Sequence, residues 1–256
     1  MKYVFYILLG LLPSLIWLSF YLRKDKNPEP NSMILKIFFY GMLIAPIAII
    51  FELLLIWLMN PTYNPLDILS YMPRSGYIAA LLSATLIPAL VEEYLKYAVV
   101  KFKVLKKSVF DEPTDAMIYC LIAGLGFASV ENLMVLFKIS FPDLGQALGT
   151  IGFRFLGATL VHALASAIVG YWLAKGLLDL KKRKRFVLIG LTIAIIFHTC
   201  YNYLIVTTFD QTSQNLKLFF LYLIVALLIS TTLVVSYYFK KLKKEQSICL
   251  HHFSKK

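Results

Sequence analysis

Charge is scarce in this sequence. Only 16% of its 256 residues are Asp, Glu, Lys or Arg, against about a quarter in an average soluble domain. Cysteine is scarcer still. Cys120, Cys200 and Cys249 are the whole complement, and no two of them have metal-ligand spacing. The first two fall inside apolar blocks, so they read as small core residues and give no disulfide framework. No loop is long enough to hold a soluble domain. There is no internal repeat, which removes the inverted-repeat signature of many secondary transporters. The aromatic-stacking modules of RNA binders are missing, so the net charge of +12 does not imply a nucleic-acid partner.

What is present is apolar residue in long blocks: 59% of the chain is hydrophobic, with a mean hydropathy of +0.73. Seven segments emerge, at about 3–22, 34–59, 77–100, 116–137, 151–174, 186–207 and 217–239. Each is ~20 residues or longer, enough to cross a ~30 Å hydrocarbon core as a helix. Pro46 and Pro88 interrupt two of them and should each free a backbone carbonyl. The first segment is too long for a signal-peptide core and runs into Arg23-Lys24 with no small-residue cleavage site, so it reads as a retained helix.

Basic residues cluster at alternate segment ends. There are four from Arg23 to Lys36, four from Lys101 to Lys107, six from Lys175 to Arg185 and six from Lys240 onward. The other connections carry one each: Lys2, Arg74, Lys138 and Lys217. By the positive-inside rule the N-terminus faces outward and the C-terminus the cytoplasm. The expectation is an all-α, polytopic, integral membrane helical bundle. It forms one membrane domain over 1–256, with a basic cytoplasmic tail at 240–256 and the lipid bilayer as its solvent.

The informative residues are those an apolar helix should lack. An ionisable group at mid-helix costs about 2.5–3.5 kcal/mol on insertion scales, yet the segments hold Glu52, Glu92, Glu93, Lys96, Glu131, His162 and His198. Glu92 and Lys96 are one turn apart with the acid N-terminal, the favourable order for a pair. Lys96 can hold one carboxylate ionised while its neighbour faces a cavity, giving a general base and a proton holder. Glu131 has no charged partner in its own segment, and Asn132 beside it adds a donor. His198 and Asn202, again one turn apart, can present two donors to one oxygen, as an oxyanion hole requires.

Alone, each pattern is as compatible with a structural polar clamp as with catalysis. Together, four consecutive helices each contribute a carboxylate or imidazole, and convergence on one wet site offsets their insertion cost. Depths counted at ~1.5 Å per residue from the cytoplasmic ends put Glu92 roughly 14 Å in, the histidines roughly 20 Å and Glu131 near 24 Å. That spread is awkward for direct contact unless a helix tilts or its first turn lies in the interface. Pro113-Thr114-Asp115 reads as a helix start with Thr114 or Asp115 as N-cap. Glu52 reads as pairing with a neighbour.

With these residues assembled, the chain resembles the PrsW family of membrane-embedded proteases, distant relatives of CAAX prenyl endopeptidases and bacterial immunity-type proteases. Asp25 with Pro28-Glu29-Pro30 is similar to the family's acidic, proline-bearing first loop. Glu92-Glu93 with Lys96 matches E-E-x-x-K, Phe127 with Glu131-Asn132 matches F-x-x-x-E-N, and His162 and His198 fall where the family has its later histidines. The CAAX branch usually has Arg after the paired glutamates and His at the position of Glu131, so prenyl-protein processing does not carry over. The resemblance implies a bacterial plasma-membrane endopeptidase acting on membrane proteins, with single-pass anti-sigma factors as the known substrate type.

The expected site is therefore Glu92, Glu93, Glu131, His162 and His198, supported by Lys96, Asn132 and Asn202. The compact H-E-x-x-H spacing is absent, which favours a metal-independent, glutamate-activated water. A zinc-dependent variant would use Glu131, His162 and His198. Two rivals remain at this point: a proton-coupled transporter or channel, for which intramembrane Glu and His are usual equipment, and a non-catalytic scaffold or immunity protein.

Overall fold

The computed structural model describes residues 2–25, 27–59, 77–107, 110–138 and 143–253. Arg74 and the last three residues of the tail lie outside them. Among the described residues there are eight α-helices and no strand: α1 (Lys2–Leu22), α2 (Asn31–Met59), α3 (Tyr77–Lys103), α4 (Pro113–Lys138), α5 (Leu144–Leu156), α6 (Ala158–Leu178), α7 (Arg183–Asp210) and α8 (Gln214–Phe253). A 3-10 turn, Leu180–Lys182, links α6 to α7. Six stretches are long and apolar enough to cross a membrane, with α5 and α6 forming one of them. α3 falls outside that set; its second half carries Glu92, Glu93 and Lys96.

Local chemistry sets the helix ends. Pro30 precedes α2, and its carbonyl accepts from Met33 and Ile34 at 2.9 and 3.1 Å. Pro113 opens α4, where a missing N–H costs nothing. Asp115 sits inside the first turn and is not its N-cap: its carboxylate reaches back to accept from the backbone of Asp111 and Glu112 at 3.0 and 2.8 Å. Asp143 caps α5 by accepting from Gln146 N at 2.8 Å. α8 continues well past the expected limit of 239, so much of the basic tail is helical.

The expected single segment at 151–174 is two helices. Gly157 ends α5 and begins α6 with φ −103° and ψ −102°. A Cβ at Gly157 would collide with the Tyr201 hydroxyl and come within 2.9 Å of the Phe153 carbonyl. The non-helical backbone at Gly157 breaks the continuous helix there.

The bundle has two layers. Of the apolar stretches within Leu144–Leu178 and Pro113–Phe137, 83% and 67% are buried, against 11–28% for α1, α2, α7 and α8. α4 and α6 therefore form the centre. α1 and α2 pack on α4, α7 packs on α6, α3 bridges α2 and α7, and α8 lies along α7 and α6. Small residues make the central contacts possible. Gly41 of α2 and Gly126 of α4 lie against the backbone carbonyls of Ala123 and Phe38 respectively, and Gly170 of α6 against Ala116 and Met117.

Candidate active site

α3, α4, α6 and α7 each bring polar side chains to one buried locus. Glu93 is fully buried, and Lys96, His162, His198 and Glu92 are nearly so. Pro88 stands one turn before Glu92 in α3 and removes a helical N–H there.

The hydrogen bonds form a continuous chain. Lys96 Nζ lies 2.8 Å from Glu93 Oε1, 3.2 Å from Glu92 Oε2 and 2.7 Å from His162 Nδ1. An ammonium only donates, so Nδ1 accepts and the proton of the neutral His162 ring is on Nε2. Nε2 then donates to Glu131 Oε2 at 2.7 Å. The same oxygen receives Arg154 Nη2 at 2.7 Å, while Arg154 Nε donates to Asn132 Oδ1 at 2.6 Å. Asn132 Nδ2 donates to Gly10 O and to Thr159 Oγ1, fastening α4 to α1 and α6. At the other end His198 Nδ1 donates to Glu93 Oε1 at 2.9 Å, which leaves Nε2 as that ring's acceptor. The two imidazoles stand perpendicular with centroids 5.1 Å apart. Lys96 Nζ also lies 4.4 Å above the Phe127 ring.

The structure thus joins Glu92, Glu93, Lys96, Glu131, Asn132, His162 and His198. Glu131 reaches His162 despite the depth count, and the start of α4 is anchored by contacts of its own. There Asp115 meets the α1–α2 loop, and Tyr119 donates to Glu29 at 2.5 Å. Burial of Glu29 in that loop raises its carboxyl pKa above the ordinary value.

Asn202 does not join the cluster. Its amide donates to the Thr85 carbonyl of α3 at 3.4 Å, so the two-donor arrangement with His198 is not formed. Lys96 also bridges both glutamates, whereas the i,i+4 argument pairs it with Glu92 alone. Arg154 was not among the expected site residues. An arginine inside an apolar segment demands a carboxylate, and that was the available signal.

One donor atom each from Glu92, Glu93, His162 and His198 lie within 4.8 Å of one another. Glu131 stands behind His162 and is not one of these four. A second such group, Asp25, Glu29 and Asp115, sits at the loop end of the bundle. Glu93 Oε2 and Ser166 Oγ are buried without a hydrogen-bond partner among the described residues. Both residues line a narrow crevice with Lys96, Tyr97, Cys120 and Val169.

A helical membrane bundle that gathers paired carboxylates and two imidazoles at a buried locus has the equipment of a membrane-embedded hydrolase. Comparison with known proteins makes the class specific. The family model described as PrsW family intramembrane metalloprotease matches residues 29–231, and the chain belongs to that family. "Protease PrsW" of Geobacillus kaustophilus is 30% identical over 84% of this chain and 85% of its own length. The proteins of that name from Oceanobacillus iheyensis and Bacillus subtilis are 28% and 26% identical, each over 77% of this chain and 80% of their own length. No solved structure matches the chain. The protein is a multi-pass membrane peptidase.

Proposed function

We propose that this chain hydrolyses peptide bonds of single-pass membrane proteins with a water activated among Glu92, Glu93, His162 and His198. The observation that carries the reading is the convergence of those four donors within 4.8 Å inside a membrane bundle. The donors also fit a divalent transition ion. Two imidazoles and a carboxylate are an established catalytic zinc set, and Glu93 contributes a buried oxygen with no partner among the described residues. Lys96, 2.7–3.2 Å from three of the four residues, is a cation these donors already hold.

On this reading Glu93, His162 and His198 would hold the ion, in preference to the set with Glu131. A bound ion supplies Lewis acidity, lowering the proton affinity of a bound water and polarising the scissile carbonyl. The chain's own residues do the rest. Glu131 accepts the His162 Nε2 proton and fixes the ring with Nδ1 toward the cluster, the usual second partner of a ligating histidine. Arg154 holds Glu131 in turn. Glu92, slightly more open than Glu93, takes the proton of the attacking water and returns it to the leaving amine. Asn132 ties α4 to α1 and α6 and keeps this geometry rigid.

The test is co-expression with a panel of single-pass membrane proteins, anti-sigma factors first, with metal analysis of each purified variant. Wild type yields fragments and carries about one equivalent of metal, the one-ion case of a catalytic site. Glu93→Gln, His162→Ala and His198→Ala lose both. Glu92→Gln keeps the metal and loses the fragments, by about 10²- to 10⁴-fold for a general base. Equal fragment levels in all five proteins would end the reading.

A further inference from the structure

The carboxylates of the membrane-spanning helices are not all alike. Glu92 and Glu93 are held by Lys96, and Glu131 by Arg154. Glu52 of α2 makes no hydrogen bond or ion pair among the described residues. It is only half-buried, and it is not a stray lipid-facing residue. Gly41, Ala45, Ala48, Glu52 and Leu55 recur at helical spacing on one face of α2. Gly41 lies against the backbone of α4 at Ala123. Ala45 and Ala48 pack with Ile87 and Val91 of α3 and Phe127 of α4, and Leu55, Leu95 and Val130 border the same cluster. Glu52 therefore sits on the face that α2 turns toward the two helices bearing the site. It is near enough to feel the charges of Glu92, Glu131 and Lys96. Lys96, the cation it feels, is already engaged by Glu92 and Glu93.

A half-open carboxyl in an apolar helix costs about 2.5–3.5 kcal/mol, and this one has no counter-charge free beside it among the described residues. Met59 ends α2 seven residues later, so Glu52 lies about 10 Å below the outer end of its helix at ~1.5 Å per residue. We infer that Glu52 is a specificity residue that pairs with a Lys or Arg side chain on the outer half of a substrate's membrane segment as that segment lies along the outer half of α2. This deepens the proteolytic reading and rests on it. A long basic side chain on an apolar segment is as costly as the carboxyl it meets, and it can extend along apolar surface to reach it. Pairing relieves both, and it discriminates against segments that bring a carboxylate.

The experiment uses the full chain in lipid nanodiscs with Glu92→Gln to stop turnover. The probes are labelled Leu/Ala-rich peptides of about 22 residues, long enough to span. They carry Leu, Lys or Glu at one position walked through the outer third. The Lys peptide should bind about tenfold or more tighter than the Leu peptide at its best position, a difference read directly in Kd. Glu52→Gln should erase that preference, and Glu52→Lys should transfer it to the Glu peptide. Equal binding of Lys and Leu peptides overturns the inference, as does a preference that survives Glu52→Gln. A uniform loss for every peptide makes Glu52 a structural brace and also overturns it. Cleavage of the same peptides by the unsubstituted chain is scored separately. Cleavage without charge preference sinks this inference and leaves the proteolytic reading standing. Charge-selective binding without cleavage of any peptide or panel protein sinks the proteolytic reading instead.

Discussion

Glu131 Oε2 receives two donors, Arg154 Nη2 and His162 Nε2, both at 2.7 Å. Removing the guanidinium leaves one donor and frees the carboxylate to rotate, so the His162 ring loses part of what fixes its orientation. Arg154→Ala is expected to lower cleavage about 10- to 100-fold, as loss of an orienting partner does, with the protein still inserted and folded; a fragment-release assay at matched abundance checks it. A second expectation concerns Glu29. Its folded pKa is raised by burial, so the folded state favours the protonated form. The stability it contributes is full below the ordinary carboxylate pKa and is lost as pH rises through the raised value. Thermal unfolding in detergent should therefore show wild type losing stability as pH rises above the ordinary carboxylate range, with Glu29→Gln flatter over the same span. At this scale the site was largely legible. Glu92, Glu93, Glu131, His162 and His198 were conspicuous because charged and imidazole groups are costly in an apolar helix. Asn202 was not legible: its amide is satisfied by Thr85 in another helix, a contact that spacing along one helix does not encode.

Helices approach one another here at their glycines. Gly126 of α4 sits against the Phe38 carbonyl, with Gly41 Cα 3.2 Å from where a Cβ would be. Gly126→Val should force α2 and α4 apart and cost about 1–3 kcal/mol, in the range of other overpacked cores. The variant's melting temperature in detergent tests this. Because α4 carries Glu131 and α2 carries Glu52, the same change should shift Glu52 relative to the site as well as loosen the fold. Most helix boundaries were readable within a few residues from apolar run length and flanking charge. The α5–α6 break was not, since hydropathy continues unbroken through Gly157 while the backbone turns.

At the scale of the molecule, the two inner helices α4 and α6 supply Glu131 and His162, and α3 and α7 close on them with Glu92, Glu93, Lys96 and His198. The alternation of basic clusters predicts an outward N-terminus and a cytoplasmic C-terminus. Reporter tags at the two ends should be reached by a membrane-impermeant reagent only at the N-terminus in intact cells; labelling of the C-terminal tag without lysis would overturn that orientation. The layering was not legible in advance, because α4 and α6 are no more apolar than the helices outside them. Their small residues tell them apart only once the packing is known. α6 has a further consequence. With 83% of its apolar stretch sealed inside the protein, it is solvated by neighbouring side chains in place of acyl chains. Changes in bilayer thickness or chain unsaturation then act first on the jacket formed by α1, α2 and α8. They should alter how a substrate enters well before they disturb the chemistry at His162.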